Sequence, residues 1–141
     1  MQIIGFNFTK ISGEKPNKSV KLTRNINIAF KDVQKDKIEL LKDKEAIKIS
    51  FEYSINYSEP EKKDEDFGKL EMKGDILMAV TKEESKEILK GWKKQALSPE
   101  FQVPLYNLIF RKCTPKAVYI ADEVGLPSPV PIQRINPKKQ S

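Results

Sequence analysis

Four runs of alternating apolar and polar residues, then helical runs and a proline-punctuated exit, predict an α+β fold. The architecture expected is a four-stranded antiparallel sheet followed by two or three C-terminal helices packed on one face. The order of the runs carries the inference: strands come first, Met1 to Val80, and helices last, Thr81 to Gly125. A chain of 141 residues suits one domain and can bury roughly two thirds of its unfolded surface. That domain is expected over residues 1–135, with a disordered tail over 136–141.

The first strand runs to about Ser12 and puts Ile4, Phe6 and Phe8 on one face. A loop over Gly13 to Lys18 has Pro16 and Asn17 as its turn signal. The second strand, about Val20 to Val33, carries Ile26, Ile28 and Phe30 at period two, and residues 34–45 form a charged connection with room for a helical turn around Leu40. The third strand is the clearest. Ile47, Ile49, Phe51, Tyr53, Ile55 and Tyr57 point one way, and Lys48, Ser50, Glu52, Ser54 and Asn56 the other. Such alternation belongs to a half-buried antiparallel strand with a wet outer face. A charged turn over 58–66 leads to the fourth strand, Phe67 to Val80, with Leu70, Met72, Ile76, Met78 and Val80 on one face. Gly74 interrupts that face and predicts a bulge or a close backbone approach. Leu77 and Ala79 predict cover on both faces near the strand's end. The inward face of the sheet should be Phe6, Phe8, Ile26, Ile28, Phe30, Ile49, Phe51, Tyr53, Met72 and Ile76.

Thr81-Lys82-Glu83-Glu84 is a capping box, opening a helix that presents Ile88, Leu89 and Trp92 and fades near Leu97. A lone Gly91 weakens that helix by about 1 kcal/mol relative to alanine. Ser98-Pro99-Glu100 is a second start signal, and Pro104 leaves the onset of regular helix open between the two prolines. Thr114-Pro115 repeats the cap-then-proline signature, so either a new helix begins there or one long helix kinks. Gly125 is the expected C-cap. Pro127, Pro129 and Pro131 then hold the exit extended, to clamp the last helix onto the sheet or to flank a groove.

Composition excludes more than it assigns. There is no histidine, which removes the commonest general base and transition-metal ligand, and with them any Ser–His–Asp or Cys–His mechanism. Cys113 is the one cysteine and sits in an apolar run, where a structural thiol is expected. The acidic pairs Glu83-Glu84 and Asp122-Glu123 mark helix ends, and Asp64-Glu65-Asp66 a turn. No glycine-rich phosphate loop is present. Neither an enzyme nor a cofactor is expected. No run approaches the ~20 apolar residues that span a bilayer, so no membrane insertion is expected and a cytoplasmic location is.

The whole succession, four strands, a helix, a longer helix and an extended exit, resembles the SecB export chaperone family. The likeness is carried by Pro104, Leu108-Ile109-Phe110, Arg111 and Cys113, then by Gly125 and Pro127 to Ile132. At the start, Phe6-Asn7-Phe8-Thr9-Lys10-Ile11-Ser12 is similar to the family's first strand. Short, divergent SecB-like proteins of archaea are the nearer relatives this suggests. The resemblance implies an ATP-independent holdase that binds unfolded or nascent polypeptide in an apolar groove between sheet and helices. It also implies a homo-oligomer, a dimer or dimer of dimers, built through the first strand and the long helix. The chain departs from the family in charge. SecB docks its motor ATPase through acidic residues on the sheet, whereas this chain carries +6 and its outward face mixes Lys, Glu, Asn and Ser.

A holdase groove needs adaptable or flat apolar side chains, and Phe6, Phe8, Phe30, Met72, Met78, Trp92, Tyr106 and Phe110 are the candidates. For any one of them the ordinary role is core. Nucleic-acid binding is the alternative reading, from the +6 charge and the strand aromatics. Against it, only Arg24, Arg111 and Arg134 among the 26 basic residues are arginine, and most lysines stand beside Glu or Asp.

Overall fold

The alternating runs form four strands, β1 (Gln2–Gly13), β2 (Thr23–Asp36), β3 (Lys44–Ser58) and β4 (Gly68–Thr81), and two helices follow, α1 (Lys82–Lys93) and α2 (Pro99–Glu123). The structure, a computed structural model, describes residues 1–14, 22–38, 43–60, 68–133 and 135. The expected turn signal at 16–17, the helical turn around 40, most of the charged turn at 61–66, the strand onsets at 20 and 67, and the tail lie outside the described residues.

All strands pair antiparallel in the order β1-β4-β3-β2. The two clearest alternating strands therefore take the centre, where both edges of their backbone are satisfied, and β1 and β2 are the sheet edges. Registers align the apolar positions in ranks: Ile49 lies opposite Ile76, which faces Phe6; Tyr53 lies between Ile28 and Met72. Ile47, Ile49, Phe51, Tyr53, Ile55, Leu70, Met72, Ile76 and Met78 are buried on this inner face. Phe6, Phe8, Ile26, Ile28 and Phe30, on the edge strands, are half-buried and pack against them. The predicted inward face is thus the face the helices cover.

The phase of β1 differs from simple alternation. Its register shifts between Ile3 and Gly5 and again between Phe8 and Lys10. Ile4 falls in the first bulge without a partner across the ladder, so it drops out of the alternation that Phe6 and Phe8 share. Ile3, opposite Met78, and Ile11, opposite Met72, take the inner positions. A bulge adds one residue and flips every side chain beyond it. Gly74 belongs to the second irregularity: it pairs with Phe8, and a Cβ there would run into the Asn7 carbonyl and stand 2.8 Å from the Phe51 ring. The close approach is on β4 and the bulge on its neighbour. At the far end of β4, Leu77 is half-buried and Ala79 buried.

The capping box forms as expected. The Glu84 amide donates to Thr81 Oγ1 at 3.1 Å, and the Thr81 amide donates to Glu84 Oε1 at 2.9 Å. α1 stops at Lys93, short of Leu97, because Gln95 turns left-handed (φ 57) and the Ala96 amide returns to the Gly91 carbonyl at 3.0 Å. A Cβ on Gly91 would stand 2.7 Å from the Ala96 carbonyl oxygen, so the glycine makes room for that fold-back.

α2 resolves both open questions about its prolines. It begins at Pro99 and runs unbroken for 25 residues through Pro104 and Pro115. Each proline removes one amide donor, and the carbonyls left over, of Glu100 and Arg111, belong to exposed residues, where solvent can take the donor's place. Gly125 (φ 72) closes the helix, with the Leu126 amide on the Ala121 carbonyl at 2.8 Å and the Gly125 amide on that of Asp122 at 3.4 Å. The proline strip clamps: Leu126 and Pro129 are buried, and the Tyr57 hydroxyl donates to the Pro127 carbonyl at 2.7 Å.

Gly74→Ala is expected to destabilise the fold by about 2 kcal/mol, since the methyl group meets backbone and a locked ring. Chemical denaturation checks it, and a loss under about 0.5 kcal/mol would contradict the packing described.

Candidate functional site

α2 presents four rows, each repeating every fourth residue. Phe101, Leu105, Ile109, Cys113, Ala117 and Ala121 are all buried and face the sheet. Val103, Asn107, Arg111, Pro115, Tyr119 and Glu123 are all exposed. A row of this spacing winds slowly about the helix axis, and the twisted sheet beneath winds with it. The facing side chains shrink from Phe and Leu to Ala, which lets the helix end settle on β1. There a Cβ on Gly13 would stand 2.6 Å from Ile120 and 2.8 Å from Leu70.

The two remaining rows define flanks. Toward β2, Tyr106 stacks on Phe30 (centroids 4.9 Å, 20° between planes) and receives a hydrogen bond from Gln102 Nε2 at 3.2 Å. Phe110, 43% exposed, meets Tyr53 edge-on at 6.4 Å. The Tyr53 hydroxyl lies buried near Thr114 without a well-formed hydrogen bond, and burial raises its pKa. Trp92, on α1, is half-buried against the core.

Toward β1, Phe6 and Phe8 pack edge to face at 5.1 Å and lean on Phe51. Lys112 Nζ stands 5.8 Å from the Phe6 centroid and Lys116 Nζ 5.4 Å from that of Phe8. A cleft opens at each end of this aromatic pair. One, of about 280 Å³, is lined by Ile3, Pro104, Asn107, Leu108 and Arg111. The other, of about 440 Å³, is lined by Ile11, Pro115, Lys116, Tyr119 and Ile120.

The eight candidate residues are therefore not one set. Phe30, Tyr106 and Phe110 share one flank of α2; Phe6 and Phe8 share the other. Met72 and Met78 have no exposed surface and belong to the core, correcting their place among the groove candidates. Ile3, Ile11 and Tyr119 were missed. Ile11 was legible in principle: continued alternation from Phe8 would turn Lys10 inward, and a lysine at an apolar phase marks a bulge. Cys113 is buried, and burial pushes its thiol up to about 12, so it is inert packing.

On the outer sheet face several lysines are paired. Glu71, 8% exposed, is held by Lys10 at 2.6 Å, Lys69 at 2.9 Å and Lys73 at 3.7 Å. Lys31 and Lys48 pair there with Glu52 and Asp75, while Lys35 pairs with Glu45 on the helix-covered face. Arg111, Lys112 and Lys116 on α2 have no carboxylate partner among the described residues. Among the same residues, no helix is long and apolar enough to cross a membrane.

No protein-family model matches the chain, and no curated protein matches it in sequence. Its fold is SecB-like. It is similar to the SecB-like chaperone Rv1957 of Mycobacterium tuberculosis, solved in complex with a ChAD peptide from the HigA1 antitoxin, with a TM-score of 0.54 and 9% identity over 95% of this chain and 90% of that one.

Core and surface candidates separate by stability. Met78→Ala is expected to cost about 2–4 kcal/mol in denaturant unfolding, and Phe110→Ala under about 1.5 kcal/mol. Equal losses would contradict the exposure of Phe110. The lysine hydrogen bonds hold the Glu71 carboxyl down to about 2, from 4.5. A depressed carboxylate contributes stability above its unfolded pKa and loses it as pH falls toward its folded one. Melting temperature should therefore fall between pH 4.5 and 2, and Glu71→Gln should remove that part of the decline.

Proposed function

We propose that this chain is a divergent SecB-like holdase, acting in the cytoplasm as one domain over residues 1–135. It binds unfolded or nascent polypeptide without ATP in the apolar surface along α2. The observation that carries this reading is the run of incompletely covered rings and aliphatics on both flanks of α2: Phe30, Tyr106 and Phe110 on one, Ile3, Phe6 and Ile11 on the other. A finished core buries such groups; a surface that holds non-native segments leaves them half-open. The fold shared with a peptide-bound chaperone supports the same reading. Burial of client side chains supplies roughly 25 cal/mol per Å² before ordering costs. Such binding tolerates varied sequences and needs no catalytic group. Self-association through β1 is compatible with this function but not required by it.

The test is light scattering of an aggregating client, run beside a salt titration with single-stranded RNA and DNA. Aggregation should be suppressed without nucleotide. Phe110→Ser with Tyr106→Ala should weaken suppression severalfold while the melting temperature changes little. Tight, steeply salt-dependent nucleic-acid binding with no effect on aggregation would overturn the reading.

A further inference from the structure

We propose that residues 126–130 form a strap: they occupy, in cis, the end of the surface assigned above to clients, and an extended apolar segment of a client takes their place there. The inference rests on the polypeptide-binding reading and adds how access to that surface is regulated. It needs neither the β1 edge nor the flank of α2 beside it, and so leaves both to self-association.

Register places the strap at the end of the half-open row. Along β2 and β3, Phe30 lies opposite Phe51, Ile28 opposite Tyr53 and Ile26 opposite Ile55, all on the helix-covered face. The next same-face pair is Arg24 with Tyr57, and Gly68 lies on the other side of Tyr57. There the chain leaving α2 crosses the sheet. Leu126 stands over Gly68, where a Cβ would come within 2.7 Å of its Cδ2, and the Tyr57 hydroxyl donates to the Pro127 carbonyl at 2.7 Å. The strap thus passes from β4 onto β3, across the line a client would follow along Phe30, Ile28 and Ile26.

Its attachment is that of a bound peptide. Among the described residues, no backbone–backbone hydrogen bond ties 127–133 to the rest of the chain, and Pro127, Pro129 and Pro131 have no amide to donate. The hold consists of two buried side chains, Leu126 and Pro129, and the tyrosine hydroxyl, while Ser128 and Val130 bond to each other within the strap. An extended client would use the same means: apolar side chains in a seat, and a carbonyl caught by a side-chain donor. Gly125 (φ 72) precedes the strap and supplies a pivot beyond the end of α2 at Glu123. A seat filled by the chain's own residues weakens every competitor in proportion to the time it stays filled. Loosening the strap should therefore tighten client binding, whereas loosening a purely structural clamp should not.

The experiment changes the strap and keeps the seat. Leu126→Ser with Pro129→Ser is titrated, beside the unaltered protein, with labelled lactalbumin kept unfolded by reduction and alkylation. Both are also titrated with the end-blocked octapeptide Gly-Leu-Pro-Ser-Pro-Val-Pro-Ile, the sequence of residues 125–132. The variant is expected to bind the client about tenfold more tightly than the unaltered protein, and the octapeptide likewise, with octapeptide and client competing. Leu126→Ala alone should move both affinities the same way by a smaller factor. Gly68→Val added to the double variant fills the seat and should abolish octapeptide binding. Client bound no more tightly by either strap variant, while the unaltered protein holds it, overturns this inference and leaves the chaperone reading standing. Octapeptide bound by the double variant, with no client held by any form, supports the strap and removes the chaperone reading instead. Loss of the thermal unfolding transition in both strap variants makes residues 126–130 a fixed part of the fold and overturns the proposal.

Discussion

Everything in this molecule depends on a row of six side chains on α2, one in every four residues, lying along a twisted sheet. A helix repeats its faces every 3.6 residues, so a row at spacing four drifts around the axis. A flat partner would lose contact with it within a few turns. The twist of β1-β4-β3-β2 supplies the compensating rotation, and Phe101 through Ala121 all stay buried. With that row fixed, the neighbouring rows must stand over the sheet edges. Tyr106 and Phe110 hang toward β2, and Lys112 and Lys116 toward β1. The half-open surface on each side follows from a helix narrower than the sheet it covers.

The architecture was legible because its signals are periodic and long. β3 alternates without a break, and both helix starts have local capping chemistry that tertiary contacts do not need to rescue. Local chemistry also located the Gly125 stop. What escaped was whatever breaks period. The two bulges of β1 take Ile4 out of the alternation and bring Ile3 and Ile11 opposite the inner-face residues Met78 and Met72. A count of alternating residues passes over such insertions, although Lys10 at an apolar phase was a trace of one. Pro104 and Pro115 resemble boundaries in sequence because their cost is local; the sheet contact of α2 spans both and outweighs it.

The candidate site was legible only in part, for a different reason. Sequence marks a side chain as large and apolar but not as covered. Met72 and Phe110 look alike on that count, yet one is sealed beneath α2 and the other is 43% exposed. Charge suffers the same ambiguity. The lysines of the outer face and those of α2 contribute equally to the net charge, and only the fold shows Glu71 collecting three of the former. A formal charge of +6 therefore overstates how basic the sheet is and hides where the uncompensated cations stand.

The strand order has a consequence for the chain's own synthesis. β1 is made first, but its partner is β4, so Phe6 must wait for Ile76 before it can pair. β2, β3 and β4 are consecutive and form a meander through short-range contacts, which assemble quickly. β1 can pair only once β4 has been made, and α2, later still in the chain, can cover it only after that. Until then a strand bearing Phe6, Phe8 and Ile11 remains unpartnered, the condition in which nascent chains associate wrongly. The β1–β4 pairing is the strand contact of longest sequence separation in the sheet, and so the one whose chain-closure cost is greatest.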